Sequence, residues 1–512
     1  MLLHRLALTS RAVGAEPARN AKTALLAEVL RELDPAELPA AVALLSGESR
    51  RMRIGVGPAA LRDLPDPAGR PQLEVAPTER ELARIAAVHG SGAQAERRRL
   101  LGALFARATA EEQDFLRAVL VGELRQGALD AVMADAVARA ADVPAAEVRR
   151  ALMFRGSARA VAAAALSGGA PALRAFGLEV GRPVRPMLAA AAPDVSTALE
   201  RTGPAALEWK LDGIRVQVHR DGADIAVFTR SLDDITARVP EVVEAARALP
   251  LRSAVLDGEA LALGPDGRPR PFQVTAARTA SRQDPARLRA EVPLHVFFFD
   301  LLHRDGEDLL DLPGERRWDA LAQTLPPELR VPRTVTGDAD RAHAFFRDAL
   351  AHGHEGVVVK DPAAPYAAGR RGAGWIKVKP RHTLDLVVLA AEWGHGRRRG
   401  WLSNLHLAAG GGRAEGLEPW VMLGKTFKGL TDELLAWQTR ELLAREVHRS
   451  AYTVHVRPEL VVEVAFDGLQ RSPRYPAGLA LRFARVLRYR DDKGPAEADT
   501  LATVRELAAE GL

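Results

Sequence analysis

The 512-residue sequence predicts a multidomain protein made of an all-α region, an α+β region and a β-barrel region, in that order. Three observations carry this. At about 150 residues per domain the length suggests roughly three domains. Apolar residues recur three and four apart up to about residue 175, which is helical periodicity. From about residue 180 they alternate in short runs separated by turn residues, as strands do. The boundaries read as 1–178, 179–380 and 381–512.

In the first region the stretches AKTALLAEVLREL, ERELARIAAV and EEQDFLRAVLVGELRQGALDAVMADAVARAA each present an apolar stripe of the kind that buries a helix against its neighbours. Two further stretches resemble each other, RMRIGVGPAALRDL at 51–64 and GELRQGALDAVMAD at 122–135. Each sets a basic residue and a glycine turn before a helix start, a geometry that suits phosphate and equally suits a plain glycine-capped connection.

The prolines of GRPVRPMLAAAAPD open the middle region. Strands follow at IRVQVH (214–219), DIAVFT (224–229), AVLDGEALAL (254–263), LHVFFFDLL (294–302) and EGVVVKD (355–361). The helical segments ARVPEVVEAARAL and ADRAHAFFRDALAHG lie between them, hence α+β. After WIKVKP (375–380) come DLVVLAAEW, WLSNLHLAA, PWVMLGKTF, LVVEVAF and ALRFARVLRYR around one helix, TDELLAWQTRELLARE. Five short strands and one helix suit a small barrel of the OB type. A last helix is predicted from Asp499 onward.

Hydrophobic content of 47% and charged content of 27% belong to an ordinary globular protein. The net charge of +5 favours a polyanionic partner only weakly at this length. The absence of cysteine excludes disulfides, thiolate zinc sites, iron–sulfur clusters and cysteine nucleophiles together, and fits a reducing cytoplasm. At the N-terminus His4 and Arg5 interrupt the apolar residues before a signal segment could form, and no apolar run approaches membrane-spanning length.

Basic residues are distributed unevenly by type. Of 71 lysines and arginines only eight are lysines: Lys22, Lys210, Lys360, Lys377, Lys379, Lys425, Lys428 and Lys493. A chain that uses arginine for general positive charge has kept lysine at a few places. An ammonium can lose its proton and act as a nucleophile, whereas a guanidinium stays protonated. Lys210 stands out because it precedes an Asp-Gly turn, in KLDGIR, that can aim it into a cleft.

Further segments follow in order: TRSLDDIT with Arg230, LDGEAL with Glu259, FFFDLL with Phe299, EGVVVKD with Glu355 and Lys360, GWIKVKP with Lys377 and Lys379, and LRFARVLRYRDDK with Arg482, Arg490 and Lys493. Together with KLDGIR this ordered set resembles the covalent nucleotidyltransferase superfamily, and within it the ATP-dependent DNA ligases of the bacterial three-domain kind. The resemblance spans almost the whole chain, from MLLHRLALTSRAV and VRPMLA onward.

The resemblance implies a helical DNA-binding domain, an adenylation (nucleotidyltransferase) domain and an OB-fold domain. It implies that Lys210 attacks ATP to form a lysyl-AMP, that the AMP passes to the 5′-phosphate at a nick, and that the 3′-hydroxyl then expels it. Glu208, Arg215, Arg230 and Arg371 are implied as nucleotide contacts. Glu259 is implied at the ribose or a metal-bound water, Glu355 at a divalent metal, Mg²⁺ or alternatively Mn²⁺, and Phe299 against the adenine. Phe298, the neighbouring ring, should face the core.

Lys377 and Lys379 alternate along a strand and so face one side, either as an exposed basic strand or as cations that activate Lys210 and neutralise the α-phosphate. Glu355 beside Gly356 could equally cap a turn. In the C-terminal region Arg490 and Lys493 are implied to meet the leaving pyrophosphate as the barrel closes. LGKT at 423–426 is not a phosphate loop, because the first glycine of that pattern would fall on Pro419. GKTFKG, with Lys425 and Lys428, reads as a barrel loop near DNA phosphates or as a solvated turn.

The implied partner is nicked double-stranded DNA, encircled by a monomer and bound through phosphates, with no membrane involved. A capping guanylyltransferase or an RNA ligase is disfavoured by the helical first domain, and an NAD-dependent ligase by the missing cysteines. A DNA-binding scaffold without activity is disfavoured by lysines at 210, 377 and 379.

Overall fold

The computed structural model describes residues 1–48, 55, 61, 63–122, 124, 129–281, 283–368, 371–380, 382–395 and 398–509, with backbone alone at 129 and 371–373. It divides into two compact units. One joins Met1–Ala190, Leu211–Arg333 and Lys360–Trp375; the other joins Ala191–Lys210, Thr334–Val359 and Ile376–Leu512. The cuts after Lys210 and after Trp375 mean that KLDGIR and WIKVKP each pass from one unit into the other.

The first unit begins with helices from Leu3–Ala15 to Ala158–Arg174. Their apolar stripes, including Leu6, Leu30, Leu44, Phe105 and Val161, merge in one core. Thr109 starts helix Ala110–Val121 with a reciprocal cap: its hydroxyl accepts from Glu112 N–H, and Glu112 accepts from Thr109 N–H at 2.8 Å. The two glycine-containing stretches at 51–64 and 122–135 lie in large part outside the described residues.

The same unit carries an antiparallel sheet in the order Asp224–Thr229, Ile214–Asp221, Ser253–Ala262, Leu294–Arg304, Glu307–Asp308. Strand alternation explains its two faces. Val216, Val218, Leu256 and Phe298 share a core with Val242 of helix Pro240–Ala248 and Leu321 of helix Gly314–Thr324. On the other face Gln217 exchanges hydrogen bonds with the backbone of Val184, and His219 Nδ1 accepts from Gly181 N–H at 3.0 Å. The proline-bearing entry segment is thereby tied to the sheet. Asp300 and Arg317 form a fully buried ion pair at 2.8 Å, and Arg317 also donates to the carbonyls of Leu312 and Ala364.

The second unit carries most of a five-stranded sheet ordered Leu188–Ala191, Arg371–Val378, Val357–Lys360, Ala205–Trp209, Arg333–Thr336. Leu207, Val357, Val359, Ile376 and Val378 pack with Ala198 and Leu199 of helix Val195–Thr202 and with Ala342 and Ala349 of helix Ala339–Ala351. Asp194 and Asp338 cap these two helices by accepting backbone N–H groups at 2.7 and 2.8 Å.

The remaining sheet is ordered Val421–Thr426, Leu402–Ala409, His382–Trp393, Thr453–Val456, Glu446–Arg449, with Val461–Phe466 pairing both His382–Trp393 and Arg485–Tyr489. The twelve-residue strand His382–Trp393 is long enough for three partners: Leu402–Ala409 pairs one edge, with register shifts at Val388/Ala390 and Glu392/Trp393, while Val461–Phe466 and Thr453–Val456 pair successive parts of the other. Helix Asp432–Ala444 appears as predicted, capped by Thr431, and helix Leu501–Ala509 closes the described chain.

Two predictions are corrected. The region after residue 380 holds more than the five strands read from its sequence, because Glu446–Arg449, Thr453–Val456 and Gly468–Arg471 also pair, each only four residues long. ALRFARVLRYR is not a single strand but two, Leu479–Arg482 and Arg485–Tyr489, because Phe483 adopts a left-handed φ of 55° that no continuing strand allows. Among the described residues no helix is long and apolar enough to cross a membrane.

Candidate active site

Lys210 follows directly on strand Ala205–Trp209, and its backbone is clamped to the segment entering Val357–Lys360. Lys210 N–H donates to the Gly356 carbonyl at 2.8 Å, and Glu355 N–H donates to the Lys210 carbonyl at 3.0 Å. Gly356 makes this approach possible. Its φ is 133°, and a Cβ there would collide with the Val378 carbonyl and stand 3.2 Å from Lys379 Cα.

The side chains meet where the backbones do. Lys210 Nζ donates to Glu355 Oε2, Lys379 Nζ donates to Glu355 Oε1 at 2.7 Å, and Lys379 also reaches Asp467 Oδ2 at 3.1 Å. Lys210, Glu355 and Lys379 keep 22%, 14% and 20% of their side-chain surface, so the cluster is largely enclosed yet open to a substrate.

Burial alone would raise the Glu355 carboxyl, but the ammonium groups of Lys210 and Lys379 hold it below the usual carboxylate range. Burial likewise would lower Lys379, and the charges of Glu355 and Asp467 more than offset it, leaving Lys379 raised. A carboxylate between two ammonium groups, one of them on a pinned backbone, can hold a nucleophilic amine in place and gather positive charge for a phosphate.

Lys377 lies half-buried between buried Ile376 and Val378, in the alternation that places it with Lys379. Glu208 is buried two residues before Lys210. Trp209 packs against the rings of His352 and His354 at 4.8 and 4.9 Å, and burial beside His352 pushes His354 down to about 4.

In the other unit Arg215, on strand Ile214–Asp221, forks onto Asp257 at 3.0 and 2.6 Å and donates to the Met187 carbonyl at 2.6 Å. Tyr366 donates to the same carboxylate at 2.7 Å. Gly213 lets the turn come this close to the neighbouring strand, since a Cβ would strike the Ala260 carbonyl and come within 3.0 Å of Glu259 Cγ. Phe299 stands edge-on to Trp375 at 5.9 Å, with Arg215 5.4 Å and Lys360 4.7 Å from its ring centre. Phe298 is buried in the core, as its place in the strand predicts. Glu259 is half-buried, Arg230 is exposed beyond strand Asp224–Thr229, and the Arg371 side chain lies outside the described residues.

Arg490 and Lys493 form a separate cluster on Asp385, with Arg490 also forked onto Asp492. Lys425 of GKTFKG is paired with Glu392, which also accepts from Asn404 at 2.7 Å and contacts His406 at 3.1 Å. Lys428 lies 5.2 Å from the ring centre of exposed Phe483.

The sequence reading did not single out Asp257, Tyr366, Trp375, Asp385 or Asp467. A signal existed for two of them: Asp257 and Asp385 each interrupt an apolar strand, where a carboxylate is costly unless cations meet it.

The family model described as "ATP dependent DNA ligase domain" matches residues 186–379, the "ATP dependent DNA ligase C terminal region" matches 398–493, and the "DNA ligase N terminus" matches 63–138. A "Probable DNA ligase" of Nocardioides sp. is 58% identical over 99% of this chain and 98% of its own. Another, of Anaeromyxobacter dehalogenans, is 59% identical over 99% of each. A solved structure titled "Pmar-Lig_PreS3" is similar in fold, with a TM-score of 0.60 at 18% identity over 95% of this chain and 99% of its own. This chain belongs to the ATP-dependent DNA ligase family.

Proposed function

We propose that Lys210 is the nucleophile with which this ATP-dependent DNA ligase takes up AMP, and that its substrate is a nick in duplex DNA. The observation that carries the reading is the pinned backbone of Lys210 with its amine held on Glu355 between two ammonium groups.

In the first step Lys210 Nζ forms a bond to the α-phosphorus of ATP. The bond from that phosphorus to the bridging oxygen breaks, pyrophosphate leaves with the electron pair, and the proton lost from the nitrogen passes to solvent. Attack requires a free lone pair on the nitrogen, so Lys210 Nζ must give up its ion pair with Glu355 before it reaches the phosphorus. Lys379 and Lys377 then lie where charge grows on the phosphate. The 5′-phosphate of the nick next takes the AMP, and the 3′-hydroxyl displaces it to close the strand.

Glu208, Arg215, Arg230, Glu259 and Arg371 are assigned to the nucleotide, Phe299 to its adenine, and Arg490 and Lys493 to the pyrophosphate. Glu355 and Glu259 are assigned to Mg²⁺, which Mn²⁺ could replace. Among the described residues no cluster of three or more His, Asp or Glu is placed to hold a metal. Mg²⁺ is commonly bound by one or two carboxylates together with substrate phosphates, the role proposed for Glu355 and Glu259. When bound, such an ion neutralises phosphate charge during the transfer.

We read residues 1–178 as the DNA-binding domain, 179–380 as the adenylation domain and 381–512 as an OB barrel, acting together as a monomer. Binding through phosphates makes affinity fall steeply with salt.

The test is to incubate the protein with ATP and Mg²⁺, digest it and map the adenylylated peptide. The adduct is expected on Lys210. An adduct on Lys360, Lys377 or Lys379 instead would refute the assignment. Nick sealing on DNA compared with RNA strands tests the substrate.

A further inference from the structure

Asp385 interrupts the apolar run TLDLVVL, between buried Leu384 and Leu386, and only 10% of its side chain is exposed. Its Oδ2 accepts from Arg490 Nη1 at 2.7 Å and from Lys493 Nζ at 2.6 Å. Two long side chains from the turn after strand Arg485–Tyr489 therefore converge on a single oxygen atom.

The surroundings of this oxygen are fixed. Asp385 N–H donates to Asp499 Oδ2 at 2.7 Å, and its carbonyl accepts from Asp499 N–H at 2.8 Å. Arg490 N–H donates to the Val461 carbonyl at 2.8 Å, and its Nε and Nη2 fork onto Asp492 at 2.8 and 2.7 Å. The other oxygen of Asp385, Oδ1, is buried with no hydrogen-bond partner among the described residues. A core that wanted only stability would not keep a carboxylate under those terms.

We propose that Asp385 is a positioning residue for the first step, gathering Arg490 and Lys493 into one paired cationic site that grips the departing pyrophosphate. This rests on the assignment of those two cations to pyrophosphate. As the bond to the α-phosphorus breaks, its electron pair passes to the pyrophosphate, and negative charge accumulates on the group the pair would hold. Two cations already converged on one oxygen are spaced to converge on a phosphate, and the rotamer freedom of both chains is spent in folding rather than at the moment of reaction.

The experiment compares wild type with Asp385→Asn, Asp385→Glu and Arg490→Ala in two assays: single-turnover adenylylation by ATP, and sealing of a nicked duplex already carrying AMP on its 5′-phosphate, which bypasses the first step. Asp385→Asn is expected to slow adenylylation roughly 100-fold and to leave sealing of the pre-adenylylated nick unchanged. Asp385→Glu, which keeps the charge, should recover part of the loss.

If Asp385→Asn adenylylates at the wild-type rate while Arg490→Ala is impaired, the positioning role fails and the pyrophosphate assignment survives. If Arg490→Ala is itself unimpaired, that assignment falls and takes the positioning role with it. If both Asp385 variants lose sealing as well as adenylylation, Asp385 merely supports the fold and the proposal is overturned.

Discussion

Lys210 and Glu355, 145 residues apart in the chain, are joined twice: Glu355 N–H donates to the Lys210 carbonyl at 3.0 Å, and Lys210 Nζ donates to the Glu355 carboxylate. The first bond fixes where the amine stands. On the proposed role of Lys210 as nucleophile, the second is one the amine must give up to react. A nucleophile on a pinned backbone loses little further freedom on the way to attack, which is how positioning lowers a barrier.

Glu355→Gln keeps the shape and removes the charge that the two lysines share. Adenylylation is expected to fall roughly 100-fold, with the Mg²⁺ dependence moved to higher concentration. Single-turnover labelling across a Mg²⁺ titration measures both effects. Rates equal to wild type at every concentration would remove Glu355 from the chemistry.

Gly356→Ala places a side chain at φ 133° and against the Val378 carbonyl. Strain of this kind costs about 1–3 kcal/mol, and here it also pushes apart the segments that carry Glu355 and Lys379. Denaturant unfolding should report the lower stability, and adenylylation should fall with it. A variant as stable and active as wild type would contradict the close packing.

Arg317→Met leaves the fully buried Asp300 without its cation. Breaking one side of such a pair costs about 3–5 kcal/mol. Combining it with Asp300→Leu should restore much of the loss, because the uncompensated charge is then gone. Unfolding of the two single variants and the double variant forms the cycle that checks this.

His219 gives a pH signature. Burial, with a smaller contribution from His303, pushes it down to about 4 from an ordinary 6.5. Its Nδ1 accepts from Gly181 N–H, which a protonated ring cannot do. The folded protein therefore binds this proton less readily than the unfolded chain, and the stability it confers is intact above 6.5 and lost as pH falls from 6.5 toward 4. The loss from this group approaches ~3 kcal/mol. Thermal unfolding across that window should be steeper for wild type than for His219→Gln; equal slopes would contradict it.

Much of this was legible locally. Phe298 and Phe299 separate as strand alternation requires, with Phe298 in the core and Phe299 half-buried beside Trp375. Helix Asp432–Ala444 could be read from its apolar spacing and Thr431. Lys377 and Lys379 alternate with buried Ile376 and Val378. What escaped was set by long-range pairing. Tyr366 meets Asp257 across 109 residues, Arg490 meets Asp385 across 105, and Lys379 meets Asp467 across 88. No local pattern announces such partners, although the cost of burying Asp257 and Asp385 marks that each must have one. The break at Phe483 escaped as well, because a phenylalanine between apolar residues reads as strand and its left-handed φ has no sequence signal.

The most direct test of the nucleophile is incubation with α-labelled ATP and Mg²⁺ followed by denaturing electrophoresis, comparing wild type with Lys210→Ala and Lys210→Arg. Label retained on the wild-type chain and absent from both variants is the predicted result. Label retained by Lys210→Arg or Lys210→Ala, with wild type first cleared of bound AMP by pyrophosphate, would contradict it and move the covalent bond to another residue.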